Sequence, residues 1–343
     1  MPPPFRIGVM QLSMEPLGEM IETARVMDRA GMDTIWLAEA YPWWRKHGME
    51  ARSSTVTSAL IAQATERLTI GWGIISPFTR HPVQAAMDAR VVQEAAGPGR
   101  FLLGLGTSKI FLNNAKLNSR RTLGPMREAV EIVRGVLAGG AFEYEGETFS
   151  ASVPPLQSEA EAPREVPPVY VAATAPKMQM LAGEIGDGCL TPSITTPAFV
   201  RYTRENVKAD IDIGCTVVAS IGEDRAAGRD GAREIAGMYL ANKFQNIKGT
   251  ADTLLELAGI EMEELAPVAE AMERGGRLAA KEKVTDDLLD RCKPIAGTPA
   301  DCIDAIEEYR EAGCTHVMLE LWGDRRHEQI ELFGREVLPH FRR

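Results

Sequence analysis

Chemistry-bearing side chains in this sequence gather at the ends of apolar runs. Glu39 closes the run Thr34–Glu39 and is followed by Tyr41, Trp43 and Trp44. A carboxylate there would have a raised pKa and serve as an acid, or accept a hydrogen bond from a ring N–H. The plainer alternative is an acid paired with Arg80 or Lys109. Leu68–Pro82 ends in Ser76, Thr79, Arg80 and His81 after two glycines, Gly71 and Gly73. Glycine weakens a strand unless the backbone must bend or something must come close to it. His81, beside Arg80 and before Pro82, reads as a supporting hydrogen-bonder rather than a base.

Two more stretches invite a ligand. Gly104-Leu105-Gly106-Thr107-Ser108-Lys109 has neither the spacing of G-x-x-x-x-G-K-[ST] nor that of G-x-G-x-x-G. It reads as a strand end needing close backbone approach, with Thr107 and Lys109 at its tip. Ala172-Ala173-Thr174-Ala175-Pro176-Lys177-Met178 offers small residues and then a helix start, whose free N–H groups suit a phosphate. Lys177 would add a charge; an ordinary tight turn is the rival reading. Gln11, Thr191, Ser193 and Glu320 also end apolar runs.

The elements that would position these residues alternate. Strands are expected at Phe5–Gln11, Thr34–Glu39, Thr69–Ile75, Arg100–Thr107, Pro168–Thr174, Gly188–Pro192, Ile211–Ile221 and Thr315–Trp322, with helices between them. Among the helices are Ser53–Arg67, Pro82–Ala96, Asp224–Leu240 and a last one over about Glu328–Phe341. Phe142–Phe149 reads as a small hairpin around Gly146, and Ser150–Glu165 as a polar loop. Lys248–Lys293 is Glu-rich and helical by pattern. It reads as a helical insertion before the last unit of a single domain spanning 1–343, more suited to a lid or a subunit contact than to catalysis. Alternating units predict an α/β fold with a parallel sheet. Eight of them favour a (β/α)8 TIM barrel, with its site at the strands' C-terminal ends. A doubly wound open sheet is the competing topology.

Composition narrows the function. The net charge of −10 leaves no basic footprint for nucleic acid. Cys189, Cys215, Cys292, Cys302 and Cys314 form no C-x-x-C, as expected of reduced thiols in a cytoplasmic protein. The histidines show no metal-binding spacing, so no metal is expected. No signal-peptide pattern and no apolar run of about 18 residues points to a membrane.

Taken together, Gly73-Ile74-Ile75-Ser76-Pro77-Phe78-Thr79-Arg80-His81-Pro82, Gly104-Leu105-Gly106-Thr107, and Val171-Ala172-Ala173 through Pro176-Lys177-Met178 to Gly188 resemble the bacterial-luciferase-like superfamily. Within it they are most similar to the deazaflavin (coenzyme F420) dependent branch, near the methylenetetrahydromethanopterin reductases. The resemblance covers most of 5–215 and 295–340. It implies a TIM barrel with F420 at its mouth and a non-prolyl cis peptide at Gly73–Ile74 backing the ring. It also places Glu39, Ser76 and Thr107 by the ring and its chain, Ala173, Thr174, Ala175 and Met178 by the phosphate end, and Thr191 on the same side. The branch that oxidises sugar phosphates has a His after the acidic residue and a Glu in the fourth-strand loop; this chain has Ala40 and Lys109. The expectation is therefore a reductase passing hydride to an activated C=C or C=N bond of a small or peptide-like substrate, with Glu39, Lys109, Tyr41 or water as proton source. An FMN-dependent monooxygenase and a non-catalytic barrel paralogue are the rivals. A homodimer is expected, as is common in the family.

Overall fold

The computed structural model describes residues 4–39, 50–108, 112, 116–117, 121–154, 165–246 and 252–342. Tyr41, Trp43, Trp44 and Lys109 lie outside them, as do 248–251 of the expected insertion and 155–164 of the expected loop.

The chain opens with β1 (Arg6–Leu12), α1 (Leu17–Ala30), β2 (Thr34–Ala38), α2 (Ser54–Ala64), β3 (Thr69–Trp72), α3 (Pro82–Ala96), β4 (Phe101–Leu105) and α4 (Leu123–Ala138). An antiparallel hairpin, β5 (Phe142–Glu145) and β6 (Ser150–Val153), follows. Then come β7 (Val169–Ala172), α5 (Pro176–Ile185), β8 (Gly188–Leu190), α6 (Pro197–Val207), β9 (Asp212–Ile221) and the long α7 (Arg225–Asn246). The segment expected as an insertion supplies α8 (Asp252–Leu257), α9 (Ala266–Lys281) and α10 (Asp286–Arg291). The chain closes with β10 (Ile295–Gly297), α11 (Pro299–Glu311), β11 (His316–Glu320) and α12 (Arg326–Leu332), which runs through a wider π turn to Phe341.

Strands β1, β2, β3, β4, β7, β8, β9 and β11 pair in parallel, and the β8–β9 pairing closes the ring. That closure rules out the doubly wound sheet. The barrel is filled by Met10, Trp36, Leu102, Tyr170, Leu190 and Met318. Trp36 meets Tyr170 edge-on with ring centroids 5.2 Å apart. Such bulk fits because the facing positions are small. A Cβ on Gly71 would lie 2.4 Å from the Trp36 ring, and one on Gly188 2.2 Å from the Tyr170 ring. Outside the barrel a second apolar layer packs strands on helices, and a satellite cluster joins α7 to α9 and α10.

Local rules set the helix ends. Gly31 closes α1 at φ 81, the left-handed region open to glycine. Pro82 starts α3, with Val83 N–H on the His81 ring at 3.3 Å, so His81 is a helix cap. Thr298 and Asp301 form a capping box at α11.

Several expected boundaries shift. The helix read as Ser53–Arg67 stops at Ala64, because Asp28 accepts the N–H groups of Glu66, Arg67 and Leu68 at 2.8–3.0 Å and pulls that turn toward α1. The third strand ends at Trp72 and the fourth at Leu105, so Gly73–Ile75 and Gly106–Thr107 are free of regular pairing save an Ile75–Leu105 bridge. The loop expected from Ser150 begins with β6 instead; Glu128 gathers the N–H groups of Glu147, Thr148 and Phe149 and fixes the turn that returns the chain. Strand β10, unforeseen, pairs with the far end of β9 because β9 outruns its barrel neighbours.

The N-terminal end of the barrel carries a buried polar knot. Arg6 donates to the Asp212 carboxylate and, at 2.7 Å, to the Tyr170 hydroxyl. Tyr170 donates to Asp212 at 2.6 Å, and Thr315 donates to its other oxygen. His316 Nε2 accepts from Trp36 at 3.3 Å and meets Thr34 Oγ1 at 2.7 Å; Nδ1 sits 3.4 Å from Asp212, a long contact rather than a hydrogen bond. Burial alone would raise the Asp212 pKa, but His316, Arg6 and Thr315 together hold it well below the usual carboxylate range. Burial lowers the His316 pKa, opposed by the pull of Asp212.

Candidate functional site

At the opposite, C-terminal end lies a cavity of about 430 Å³, within the range of roughly 300–1,000 Å³ usual for small-molecule sites. The residues assigned above to the coenzyme all line it: Glu39, Gly73, Ile74, Ser76, Thr107, Ala173, Thr174, Ala175, Met178 and Thr191. Met10, Leu12 and Ala38 join them from β1 and β2. The Gly73–Ile74 peptide is cis, at the position the resemblance indicates.

One wall is flat because it is built of very small residues. Gly106 leads into it, followed by Ala172, Ala173, Thr174 and Ala175. A Cβ on Gly106 would come 2.7 Å from Ile74 Cγ1 and 3.1 Å from Ala172 Cβ, so glycine is what lets Ile74 and Ala172 close in there. This wall ends at the start of α5, where Ala175 occupies the N-cap without any side-chain cap. Pro176 has no N–H and Met178 N–H is held by the Ala175 carbonyl at 3.0 Å, so the Lys177 N–H is the first-turn donor left to an approaching anion, with no side-chain cap competing for it. A flat ring against the wall with an acidic tail toward α5 fits this arrangement.

Hydroxyls edge the wall. Ser76 Oγ reaches the Thr107 carbonyl at 3.5 Å, a long contact. Thr191 donates to the Gly214 carbonyl at 3.3 Å and accepts from Thr195 at 2.7 Å. Glu39 is largely buried, and its Oε2 has no hydrogen-bond partner. Burial raises its pKa, against the Arg80 charge and the Ser54 N–H. The expected Glu39–Arg80 pairing is weak: Arg80 Nη1 lies 3.9 Å away, while its Nε sits on Asp88 at 3.0 Å.

Across the cavity stands a polar group that sequence reasoning found only in part. Glu320, at the end of β11, was among the strand-end polar residues; Tyr239, Asn242 and Lys243 of α7 were missed. Ser193 donates to Glu320 Oε1 at 3.1 Å, and Tyr239 also hydrogen-bonds this carboxyl. Glu320 Oε2 is buried without a partner. Burial pushes the Glu320 pKa up to about 7, opposed by Tyr239, Ser193 and Lys243. Burial also brings Lys243 down to about 8 against the pull of Glu320. The missed signal was the i, i+3, i+4 spacing of Tyr239, Asn242 and Lys243, and the expected helix, ending at Leu240, took in Tyr239 but stopped before Asn242 and Lys243.

Among the described residues no group of three or more His, Cys, Asp or Glu side chains could hold a metal ion. None of their helices is long and apolar enough to cross a membrane.

Comparison with known proteins agrees with the fold. Residues 3–316 match the family described as luciferase-like monooxygenase. A 5,10-methylenetetrahydromethanopterin reductase of Archaeoglobus fulgidus is 28% identical over 331 residues, covering 92% of this chain and 93% of the relative. An F420-dependent glucose-6-phosphate dehydrogenase of Nakamurella multipartita is 24% identical, covering 99% and 98%. The solved structure of a coenzyme F420 dependent tetrahydromethanopterin reductase from Methanopyrus kandleri superposes with a TM-score of 0.85 at 24% identity, covering 98% of this chain and 99% of that one.

Proposed function

The chain belongs to the luciferase-like monooxygenase family, and on that premise we propose that it is an F420-dependent reductase acting on an activated C=C or C=N bond of a small or peptide-like substrate. The observation that carries this reading is the flat small-residue wall of the cavity running into the uncapped start of α5. The names of the relatives support the coenzyme: those from Archaeoglobus and Nakamurella are a reductase of a methylene-bridged pterin and an F420-dependent dehydrogenase.

When bound, F420 supplies hydride. The protein's part is positioning and electrostatics. Gly106 and Ala172–Ala175 admit the ring to the wall. The Lys177 N–H at the start of α5, with the Lys177 side chain, holds the phosphate end. Glu39 lies by the ring, and with Tyr41 and Lys109 it belongs to the candidate proton sources.

Adding protein to F420 is expected to quench its fluorescence and shift its spectrum. Consumption of the reduced coenzyme is then followed with 5,10-methylenetetrahydromethanopterin as the first probe, whose N–CH2–N bridge gives a C=N iminium when one C–N bond opens. The family's description as monooxygenases favours a second reading, FMN with oxygen. FMN binding without any response to F420 would establish that reading instead.

The site's partner in solution is a second copy of the chain. Val56 and Leu60 of α2 and Met87 and Val91 of α3 are 63%, 42%, 57% and 56% exposed, each pair one helical turn apart. An apolar face on two neighbouring helices is the kind of surface a partner covers. Light scattering after size exclusion is expected to give a dimer for the wild type and a monomer for the Val56→Asp, Val91→Asp double variant. A monomeric wild type at micromolar concentration would refute the dimer.

A further inference from the structure

The strand order places β9 four strands from β3 in either direction round the ring. The Glu320 group, on β11, β9's neighbour, and on α7 and the loop after β8, therefore faces the Gly73–Ile74 side across the mouth. A substrate lying between a ring on one side and this group on the other would have its reacting atoms close to Glu320. We propose that Glu320 is the proton-exchanging residue of this cavity, handing a proton from Oε2 to the substrate atom beside the carbon that receives hydride, while Ser193, Tyr239 and Lys243 hold the carboxylate left behind. This rests on the hydride-transfer reading above.

The argument starts from an imbalance within the carboxyl. Oε1 is bonded by Ser193, and Tyr239 also bonds the carboxyl; Oε2 is buried and bonded by nothing. A buried polar atom without a partner is costly. An ion pair does not remove the cost, since Lys243 acts on the carboxyl by charge alone. A proton on Oε2 lowers the charge cost but creates an O–H donor in need of an acceptor, and a nitrogen or carbonyl of a cavity ligand meets that need. The groups facing Glu320 are Ser193 from the loop after β8, Tyr239 and Lys243 from α7 and Thr216 from β9; β1 on its other side presents the uncharged Met10 and Leu12. A carboxyl whose proton leaves near neutral pH is well matched to this work.

In the step itself, the electrophilic carbon gains a C–H bond with the electron pair of the hydride, and the reduced coenzyme is oxidised. The C=N or C=C π pair moves to the neighbouring atom, which takes the proton as the Glu320 O–H bond breaks; in the methylene-pterin probe the C=N forms as one C–N bond of the bridge opens, and the nitrogen released takes the proton. Solvent at the open mouth then returns a proton to the carboxylate. The acid form prevails below about pH 7, so turnover falls as pH rises through that value.

The test compares wild type with Glu320→Gln. Infrared spectra of the coenzyme-free protein are expected to show a carboxylic-acid carbonyl band that fades as pH rises through about 7 and is missing in the variant. F420 quenching should give a Kd within about threefold of wild type. With the methylene-pterin probe, kcat should fall about 10²–10³-fold, with the limb near neutral pH abolished and KM little changed. A carboxylate at every pH tested, a Kd weakened more than about tenfold, or an unchanged kcat would each overturn the proposal. Should the wild type fail to bind F420 at all, the coenzyme reading fails, and the infrared band still decides whether Glu320 holds the proton.

Discussion

Replacing Asp212 with alanine is expected to cost about 3–5 kcal/mol of folding stability, the usual penalty for removing one partner of a buried ion pair. The carboxylate is the centre of the knot at the barrel's closed end. It accepts from Arg6, Tyr170 and Thr315, and its side chain is only 4% exposed. Without it the Arg6 guanidinium, itself mostly buried, keeps its charge with only a phenol beside it. Asp212→Asn keeps the volume yet leaves the same charge uncompensated, so it should lose most of the same stability. Arg6→Met with Asp212→Leu should recover much of it, since apolar replacement of a buried pair is often neutral or better. The pH dependence has a definite sign. The Asp212 pKa is depressed in the folded state, so its contribution is complete above the unfolded value of about 3.9 and is lost as pH falls through the folded one. The Asp212→Ala penalty measured by urea unfolding should therefore be full at neutral pH and shrink in acid. A loss below about 1 kcal/mol at neutral pH would show that the knot is not a stability element.

That knot also shows where the sequence is mute. Arg6, Tyr170, Asp212 and His316 are separated by up to hundreds of positions and have no shared spacing, and only closure of the ring brings the four strand starts together. The open end was easier to read because each barrel unit ends in the same place. Polar residues after an apolar run must fall at one rim, so Glu39, Ser76, Thr107, Thr174 and Thr191 group together from their places in the sequence, and all five line the cavity. Glu320 followed the same rule, but its weight comes from burial and from Tyr239 and Lys243, which reach over the rim from a helix. Helix side chains at i and i+4 read first as a packing face, and Tyr239 sits among buried Ala236, Leu240 and Ala241, so nothing local marked it as a cavity residue. Strand β10 escaped for another reason. Three residues carry too little periodicity to outweigh a Gly and a Pro close by, and the pairing depends on the unusual length of β9.

Ala175→Asp should separate coenzyme binding from folding by moving the two in opposite directions. Ala175 holds the N-cap of α5 with no side-chain cap, and an Asp there accepts the N–H of Lys177, or shares that of Met178 with the Ala175 carbonyl, and favours the positive end of the helix dipole. Alanine is among the poorest N-cap residues, so the substitution should raise stability by about 0.5–2 kcal/mol. The Lys177 N–H is the one assigned to the phosphate end of F420, and the new carboxylate both occupies it and repels the anion. Loss of one charge-assisted hydrogen bond, about 1.5–3 kcal/mol, corresponds to an F420 Kd weakened roughly 10- to 150-fold. Ala175→Ser is the control: it caps the helix without charge, so it should share the gain in stability and lose less affinity. Urea unfolding and F420 fluorescence quenching read the two quantities on the same preparations. If the Asp variant binds F420 as tightly as wild type, the phosphate end does not sit at α5, and the flat wall must be entered from another direction.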